Sequence, residues 1–577
     1  MPPHPTAQNP SAPNPSADQV SVVVIGYDDA AHVADAVRSA LAQGPVVREV
    51  IAVDDCSADG SDAVLAGLAE RDRRVRVIRR ASNSGGCGTP RNDGIDAASA
   101  PYVMFLDSDD VLPPGAAAAL LAAAERHGAE VASGLCVRRE LPSGREVPWQ
   151  PELYAKARLV ARPELRTRLV HDTLCVNKLY RTDFLREHGI RFPEGHFVYE
   201  DFVFTARVLA AGPRIALVPD TVYVWHVRRA AAKLSISLDR SGITNWQARM
   251  EAHRQSVEIL RDASGPGGKR LARAARAKFI DHGLRMYARE LTARGEEYRR
   301  EWWALTRAYL ETFDAADLDA APAPGRVIAR VVLASEQPRD LGRLKQVAAR
   351  PARLAPPYPR AADGTPVWAA DLPQVTLEHL LVRPMRLLPL AVDGELRPRA
   401  GGSRLTLRLR ELYGRVAAAG PDTVDVELVH RHSGLPGLRR TAAFGPERPG
   451  ETWTAEVLLD LGSLDGGVWD LRLRVRFADG TTRESTAHAV AGPGLLRRTV
   501  VPNGRHGVLL VQPYATQAGN LSVRLAPGVR GVAGVAKRRL TRLTDSLKGS
   551  LKGSLKGSLT GSLRGSLGVS PGRASGR

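Results

Sequence analysis

The sequence predicts an α/β domain built on a mostly parallel sheet, then a helical stretch, then an antiparallel β-sandwich. Three observations carry that reading. Residues 20 to about 135 alternate short β-branched runs with helix-forming stretches, as βαβ units do. From 241 to 350 the composition turns to Ala, Arg, Glu and Leu, with apolar residues at helical spacing. From 372 to 530 apolar and polar residues alternate one by one, the period of a half-buried strand. At 577 residues the chain is longer than a single hydrophobic core usually serves, so several domains are expected.

Residues 1–19 are rich in Pro, Ala, Ser and Asn, with neither a basic nor an apolar signal segment, and read as a disordered leader. Strands are expected at Val22–Tyr27, Glu49–Asp54, Val75–Ile78, Tyr102–Leu106 and Glu130–Ser133. Helices are expected at Ala30–Ala42, Ser61–Arg71 and Gly115–His127. This βαβ region and the residues after it form a domain over 20–240. Helical spacing is clearest at Phe279–Leu291 and Trp302–Phe313. Strand alternation is clearest at Leu405–Arg410, Val424–Val429 and Leu471–Phe477, and Asp479-Gly480 is a hairpin turn signal.

The tail, 537–577, repeats a Leu-Lys-Gly-Ser unit and holds ten Lys and Arg against the lone acid Asp545, about half of the chain's net charge of +19. A glycine in every unit costs a helix about 1 kcal/mol per unit relative to Ala, so disorder is expected there. Such charge calls for an anionic partner, either a polyanionic polymer or the inner face of a membrane. A nucleic-acid partner is not supported, because the tail has no aromatic residue on which a base could stack.

No run approaches the roughly 20 apolar residues of a membrane span. Cys56, Cys87, Cys136 and Cys175 are widely spaced, with neither a C-x-x-C pair nor histidines at zinc spacing. A disulfide framework or zinc site is therefore not expected. A cytoplasmic location, peripheral to the inner membrane face through the tail, fits this composition.

In open α/β sheets, ligands bind beyond the carboxyl ends of the strands. Three predicted strands end there in polar groups: Tyr27-Asp28, Asp54-Asp55 and Asp107-Ser108-Asp109-Asp110. An aspartate such as Asp55 can accept the N3–H of a uracil while an aromatic ring such as Tyr27 covers its face. Paired acids such as Asp107 and Asp109 can hold a divalent cation that offsets charge on a departing diphosphate.

The blocks Ser21–Asp28, Val53–Ser57 with Asp59-Gly60, Asn83–Gly86 with Arg91-Asn92 and Gly94, and Phe105–Asp110 resemble family 2 glycosyltransferases in order and spacing. So do the later blocks Asn177–Arg181, Tyr199–Phe202 and Trp225–Arg229 with Ser235. The resemblance spans about residues 20–240. It implies a GT-A fold and an inverting transfer of sugar from a nucleotide-sugar, expected to be UDP-linked, with Mn²⁺ or Mg²⁺ as cofactor. A lone D-x-D is a common acidic turn; these blocks in family order are far more specific. Ile25 stands where the family commonly has Pro, and Asp28 where it has Asn, which puts donor fit in question.

By resemblance, Asp109 would coordinate the metal and Asp107 would contact the metal or the donor ribose. Asp201 would be the general base, with Glu200 the competing candidate. His226 is a candidate third metal ligand or a hydrogen-bond donor to the diphosphate. Asn83 and Ser235 belong to the donor-binding set, and Arg91, Lys178, Arg228 and Arg229 are candidates for contacts with phosphates or acceptor. The succession of catalytic domain, helical segment and β-sandwich is similar to wall teichoic acid glycosyltransferases. That implies a cell-envelope polymer or glycan acceptor and a C-terminal part that binds polymer or assembles subunits. The alternative is a non-catalytic polymer-binding scaffold of the same fold; retention of Asp107, Asp109 and Asp201 argues against it.

Overall fold

The computed structural model describes residues 19–228, 239–263, 266–448, 451–490 and 495–528. The leader and the basic tail lie outside the described residues, as do Arg229 and Ser235. The chain divides into two compact units at Pro384/Met385.

The first unit is built on a sheet of β1 (Val20–Gly26), β2 (Val47–Asp54), β3 (Val75–Arg79), β4 (Tyr102–Asp107), β5 (Val131–Glu140), β6 (Arg145–Trp149), β7 (Arg158–Val160), β8 (Lys178–Arg181) and β9 (Ile215–Val227). Its order is β3-β2-β1-β4-β8-β5-β9-β7, with β6 paired to β5. The first four strands run parallel, whereas β8 inserts antiparallel between β4 and β5. Around the sheet lie α1 (Val33–Leu41), α2 (Ser61–Arg71), α3 (Gly88–Ala97), α4 (Ala116–His127), α5 (Thr182–Glu187) and α6 (Glu200–Ala210). The first six residues of β1 are all buried, which explains why the strand reads as a continuous apolar run and not as an alternation.

Two local differences from the sequence reading have simple causes. The first helix starts at Val33 and not at Ala30, because the Asp29 carboxylate is bonded to His32 and Ser108 and holds residues 29–32 in a turn. Strand β5 runs on to Glu140, past the expected Ser133, because β9 pairs with it along that length.

Helices α7 (Ile243–Asp262), α8 (Pro266–Lys278), α9 (Arg285–Ala288), α10 (Glu296–Leu310), α11 (Ala315–Ala320), α12 (Ala323–Leu333) and α13 (Leu341–Ala348) complete most of this unit. Trp246, Trp302 and Trp303 are fully buried among them. The segment of helical spacing from Phe279 to Leu291 is a π-helical turn at Phe279–Leu284 followed by the short α9. The helical region belongs to the same compact unit as the sheet, with α7 packed on α6 and α8.

The second unit holds a five-stranded and a seven-stranded sheet between Val392 and Pro527. Alternation behaves as expected: Leu405, Leu407 and Leu409 are buried while the residues between them are partly exposed. All pairings there are antiparallel except Val392–Gly394 with Ala487–Ala489. Gly480 turns the Asp479-Gly480 hairpin at φ +77°, a conformation that suits glycine. No described helix is long and apolar enough to cross a membrane.

Candidate active site

The site forms where β1, β2, β4 and β9 end and α6 begins. Non-glycine residues adopt left-handed backbone at three of these junctions: Asp28 (φ +50°), Cys56 (φ +67°) and Tyr199 (φ +68°). Such conformations cost about 1–3 kcal/mol each and cluster where geometry serves function. They turn the chain sharply beside Tyr27, Asp55 and Glu200.

Helix α3 supplies the central cation. Gly94 lets the helix lie directly on β1, since a Cβ there would meet Val23 Cγ1 at 2.2 Å. Gly88 likewise lies against the 193–197 segment, where a Cβ would stand 1.9 Å from the Pro193 carbonyl oxygen. With the helix so placed, Arg91 is buried. Its Nη2 donates to Asp107 at 2.7 Å, and its Nη1 to Glu200 at 2.5 Å and Asp201 at 3.3 Å. The guanidinium also lies 5.3 Å from the Phe192 ring centre. Arg91, expected among donor contacts, is therefore committed to three carboxylates and brings the end of β4 and the start of α6 to one point.

The two acids of α6 are held differently. The Glu200 side chain is 13% exposed and tightly paired, whereas that of Asp201 is 21% exposed and paired at longer range. Burial raises both carboxyl groups, and Asp201 raises Glu200 further; Arg91 opposes the shift in each. The buried Cys175 thiol adds a hydrogen bond to Asp201. Proximity of like charges and removal from water make this pair hold a proton nearer neutrality than free carboxyl groups do.

At the end of β4, the Asp109 side chain is 44% exposed. Its carboxyl is pushed up to about 6, first by burial and then by Asp107. Asp110 is buried and accepts from the Tyr223 hydroxyl at 2.7 Å and from the His226 amide at 2.7 Å, which ties the end of β9 to the loop after β4. His226 Nδ1 then lies 3.1 Å from the Asp109 carbonyl oxygen, and Arg228 Nη1 reaches that oxygen at 2.9 Å and the Asp109 carboxylate at 3.2 Å. Burial lowers the pKa of His226, so the ring is neutral.

Among the described residues, no three His, Cys, Asp or Glu side chains converge as metal ligands. His226, a candidate third ligand or diphosphate donor, bonds the Asp109 carbonyl oxygen through Nδ1, which leaves Nε2 as its remaining ligand atom. Asp107 and Asp109 remain as a mutually repelling pair. Two carboxylates suit a divalent cation whose other positions are filled by diphosphate and water, so the residues fit such an ion.

Lys178 differs from expectation. Its ammonium donates to Asp172 at 2.9 Å, Asn177 Oδ1 at 2.9 Å and the Leu174 carbonyl at 2.5 Å, which commits all three protons inside the protein. It braces residues 172–178 and is not offered to a ligand. Asp55 is buried and accepts from Asn83 Nδ2, from the Ser84 amide and hydroxyl, and from Arg80 at 3.0 Å. It thereby clasps the 83–86 turn, and any bond to a base would be made beside these. Tyr27, at 46% exposure, presents an open ring next to it. Asp110, Tyr223 and Cys175 were missed as site-forming residues. Only Asp110, inside the acidic run, carried a signal.

Residues 21–189 match the family model described as glycosyl transferase family 2. This part of the chain resembles a family 2 glycosyltransferase domain. Over 230 residues the chain is 33% identical to the succinoglycan biosynthesis protein ExoO of Rhizobium meliloti, covering 38% of this chain and 64% of that one. Over 217 residues it is 29% identical to the poly(ribitol-phosphate) beta-N-acetylglucosaminyltransferase TarS of Staphylococcus aureus, covering 37% of this chain and 36% of that one. The chain thus spans less than two thirds of the length of either relative. The crystal structure of S. aureus TarS resembles it in fold, with a TM-score of 0.50 at 19% identity over 88% of this chain and 85% of that chain. Arg91, Asp107 and Asp109 lie within the matched glycosyltransferase segment, whereas Glu200, Asp201 and His226 lie beyond it.

Proposed function

We propose that this chain transfers a sugar, with inversion, from a UDP-sugar to a hydroxyl of a cell-envelope polymer or glycan. The observation that carries the reading is the buried Arg91 guanidinium, which bonds Asp107 at the end of β4 and Glu200 and Asp201 at the start of α6; Asp107 would face the donor and Asp201 the acceptor. Asp201, the more open and more loosely paired acid, takes the proton of the acceptor hydroxyl as its oxygen attacks the anomeric carbon. The bond from that carbon to the diphosphate breaks on the opposite face, and UDP leaves. Glu200 stays paired with Arg91 and keeps the turn in place. Asp107 and Asp109 would hold a Mn²⁺ or Mg²⁺ ion, which supplies positive charge to the departing diphosphate. Arg228 and His226 line the same end of β4, where the diphosphate would lie, and Tyr27 would cover the base.

Both relatives are named for polymers, one for succinoglycan and one for poly(ribitol phosphate), which supports a polymer acceptor. The basic tail would draw the protein to an anionic polymer or the inner membrane face, by about 1 kcal/mol per cation near such a surface. The test is a thermal-shift screen of nucleotide-sugars with Mn²⁺, followed by transfer assays with those that bind. A ligand at 100 times its dissociation constant stabilises the fold by about 2.7 kcal/mol. If no uridine diphosphate sugar shifts the transition with Mn²⁺ present, the donor assignment fails.

A further inference from the structure

Between α6, α7, α8 and the π-helical turn lies a cavity of about 40 Å³ whose lining does not include Glu200 or Asp201. On this measure a water needs roughly 10–15 Å³, so the space holds something larger than one water. Its polar lining is unusual in sign. Arg249, Lys278, His253 and His282 face it, with Ser256 and Thr205, and no carboxylate lines it.

Arg249 is 8% exposed, and among the described residues its guanidinium makes neither an ion pair nor a hydrogen bond. It rests 4.9 Å from the Tyr199 ring centre and 5.1 Å from that of Phe202. Lys278 donates one proton to the Val170 carbonyl at 2.9 Å and lies 5.1 Å from the Phe202 ring centre. Its ammonium is pushed down to about 7 by burial and by Arg249. Asp172, whose charge partly offsets that fall, is itself bonded to Lys178 at 2.9 Å, and Asp281 is bonded to Arg285 at 2.6 Å. The histidines are neutral, since burial together with these cations drives His253 to about 3 and His282 to about 2.

A buried guanidinium facing a largely apolar cavity without a counter-charge is costly unless an anion completes it. We propose that this cavity is a binding site for a compact phosphate-class oxyanion, held by the Arg249 guanidinium and the Lys278 ammonium, with the Ser256 and Thr205 hydroxyls at its wall. Charge-assisted bonds from a guanidinium and an ammonium match a tetrahedral oxyanion, and the space suits one such group rather than a base or a sugar ring. Bound there, the anion pins Arg249 against Tyr199 and Phe202, the rings on either side of Glu200 and Asp201.

The experiment uses the full chain in a phosphate-free buffer with a chelator, so that metal-dependent nucleotide binding does not contribute. Inorganic phosphate and a glycerol phosphodiester are titrated by calorimetry and thermal shift against wild type, Arg249→Gln and Lys278→Met. Wild type is expected to bind inorganic phosphate and to rise in melting temperature. Each variant should lose about tenfold or more in affinity, as removal of a charge-assisted bond does. Binding of the diester as well, lost in the same variants, identifies a phosphate group of a polymer as the source; binding of inorganic phosphate alone identifies the free ion. No phosphate response in wild type, or a response that survives in Lys278→Met, overturns the proposal. The readout needs no transfer activity, so the site can fail while the proposed reaction stands.

Discussion

Arg91 in the cleft and Arg249 behind α6 are both almost fully buried, at 2% and 8% exposure. The first faces three carboxylates, while the second faces none among the described residues. Both contact one turn, Tyr199–Phe202, and constrain it by different physics. Arg91 holds the turn through paired charge, the kind of contact that stays in place without a ligand. Arg249 holds it through ring stacking and keeps its hydrogen-bonding capacity in reserve. A buried cation met by carboxylates reads as architecture, and one that meets none reads as a place for a ligand.

The largest expected effect lies on the catalytic side of that turn. Asp201→Asn keeps the side-chain size but removes the proton acceptor, and transfer should fall by about 10² to 10⁴-fold while UDP affinity is spared. Glu200→Gln is the companion variant, and it should cost far less in turnover. If Glu200→Gln is the inactive enzyme and Asp201→Asn transfers within a few-fold of wild type, the roles within the pair are reversed and Arg91 is clamping the base.

Next is the paired cation itself. Arg91→Met leaves Asp107, Glu200 and Asp201 without their counter-charge, and denaturant unfolding should show a loss of about 3–5 kcal/mol. A loss under about 1 kcal/mol would mean that the pairing does not hold the turn, and the contrast with Arg249 would collapse.

A smaller, graded effect follows from Asp109. Its carboxyl titrates at about 6, above the ordinary aspartate value, so it takes up a proton at a higher pH than a free aspartate would. Affinity for UDP with Mn²⁺ should therefore be level above that pH and weaken as pH falls through it, by about tenfold per unit for one competing proton. Calorimetric titration across that range checks this. A profile that stays level down to the ordinary aspartate range would remove Asp109 from the cation site.

The smallest effect is expected in the cavity. Lys278→Met removes a buried charge that has no carboxylate partner and gives up a single hydrogen bond to Val170. In phosphate-free buffer its stability should stay within about 1 kcal/mol of wild type. A loss as large as that of Arg91→Met would show that the cavity cations are structural, as those in the cleft are.

Much of the first domain was legible along the chain, because a parallel sheet writes itself locally. Apolar runs at 20–26, 47–54 and 102–107 and the acids at their ends fall in the order the fold requires, and Ser61–Arg71 is a helix at the expected bounds. The alternation at 403–410 and 467–477 likewise fixed strands, since a period of two needs only near neighbours. Asp107, Asp109 and Asp201 could be singled out for the same reason, each lying in a block whose residue types and spacing carry its chemistry. The partners of those residues were decided by tertiary structure. Arg91 meets Glu200 across 109 residues of chain, Tyr223 reaches Asp110 across 113, and β8 enters antiparallel beside β4. A charged side chain looks the same in sequence whether it faces a ligand, a carboxylate or an empty cavity. Lys178 and Arg91 had the right residue type for phosphate contacts and spend it on the protein's own acids, while Arg249, which no motif marked, keeps its charge unspent. Burial and counter-charge set that difference, and both depend on which distant segments the fold brings together.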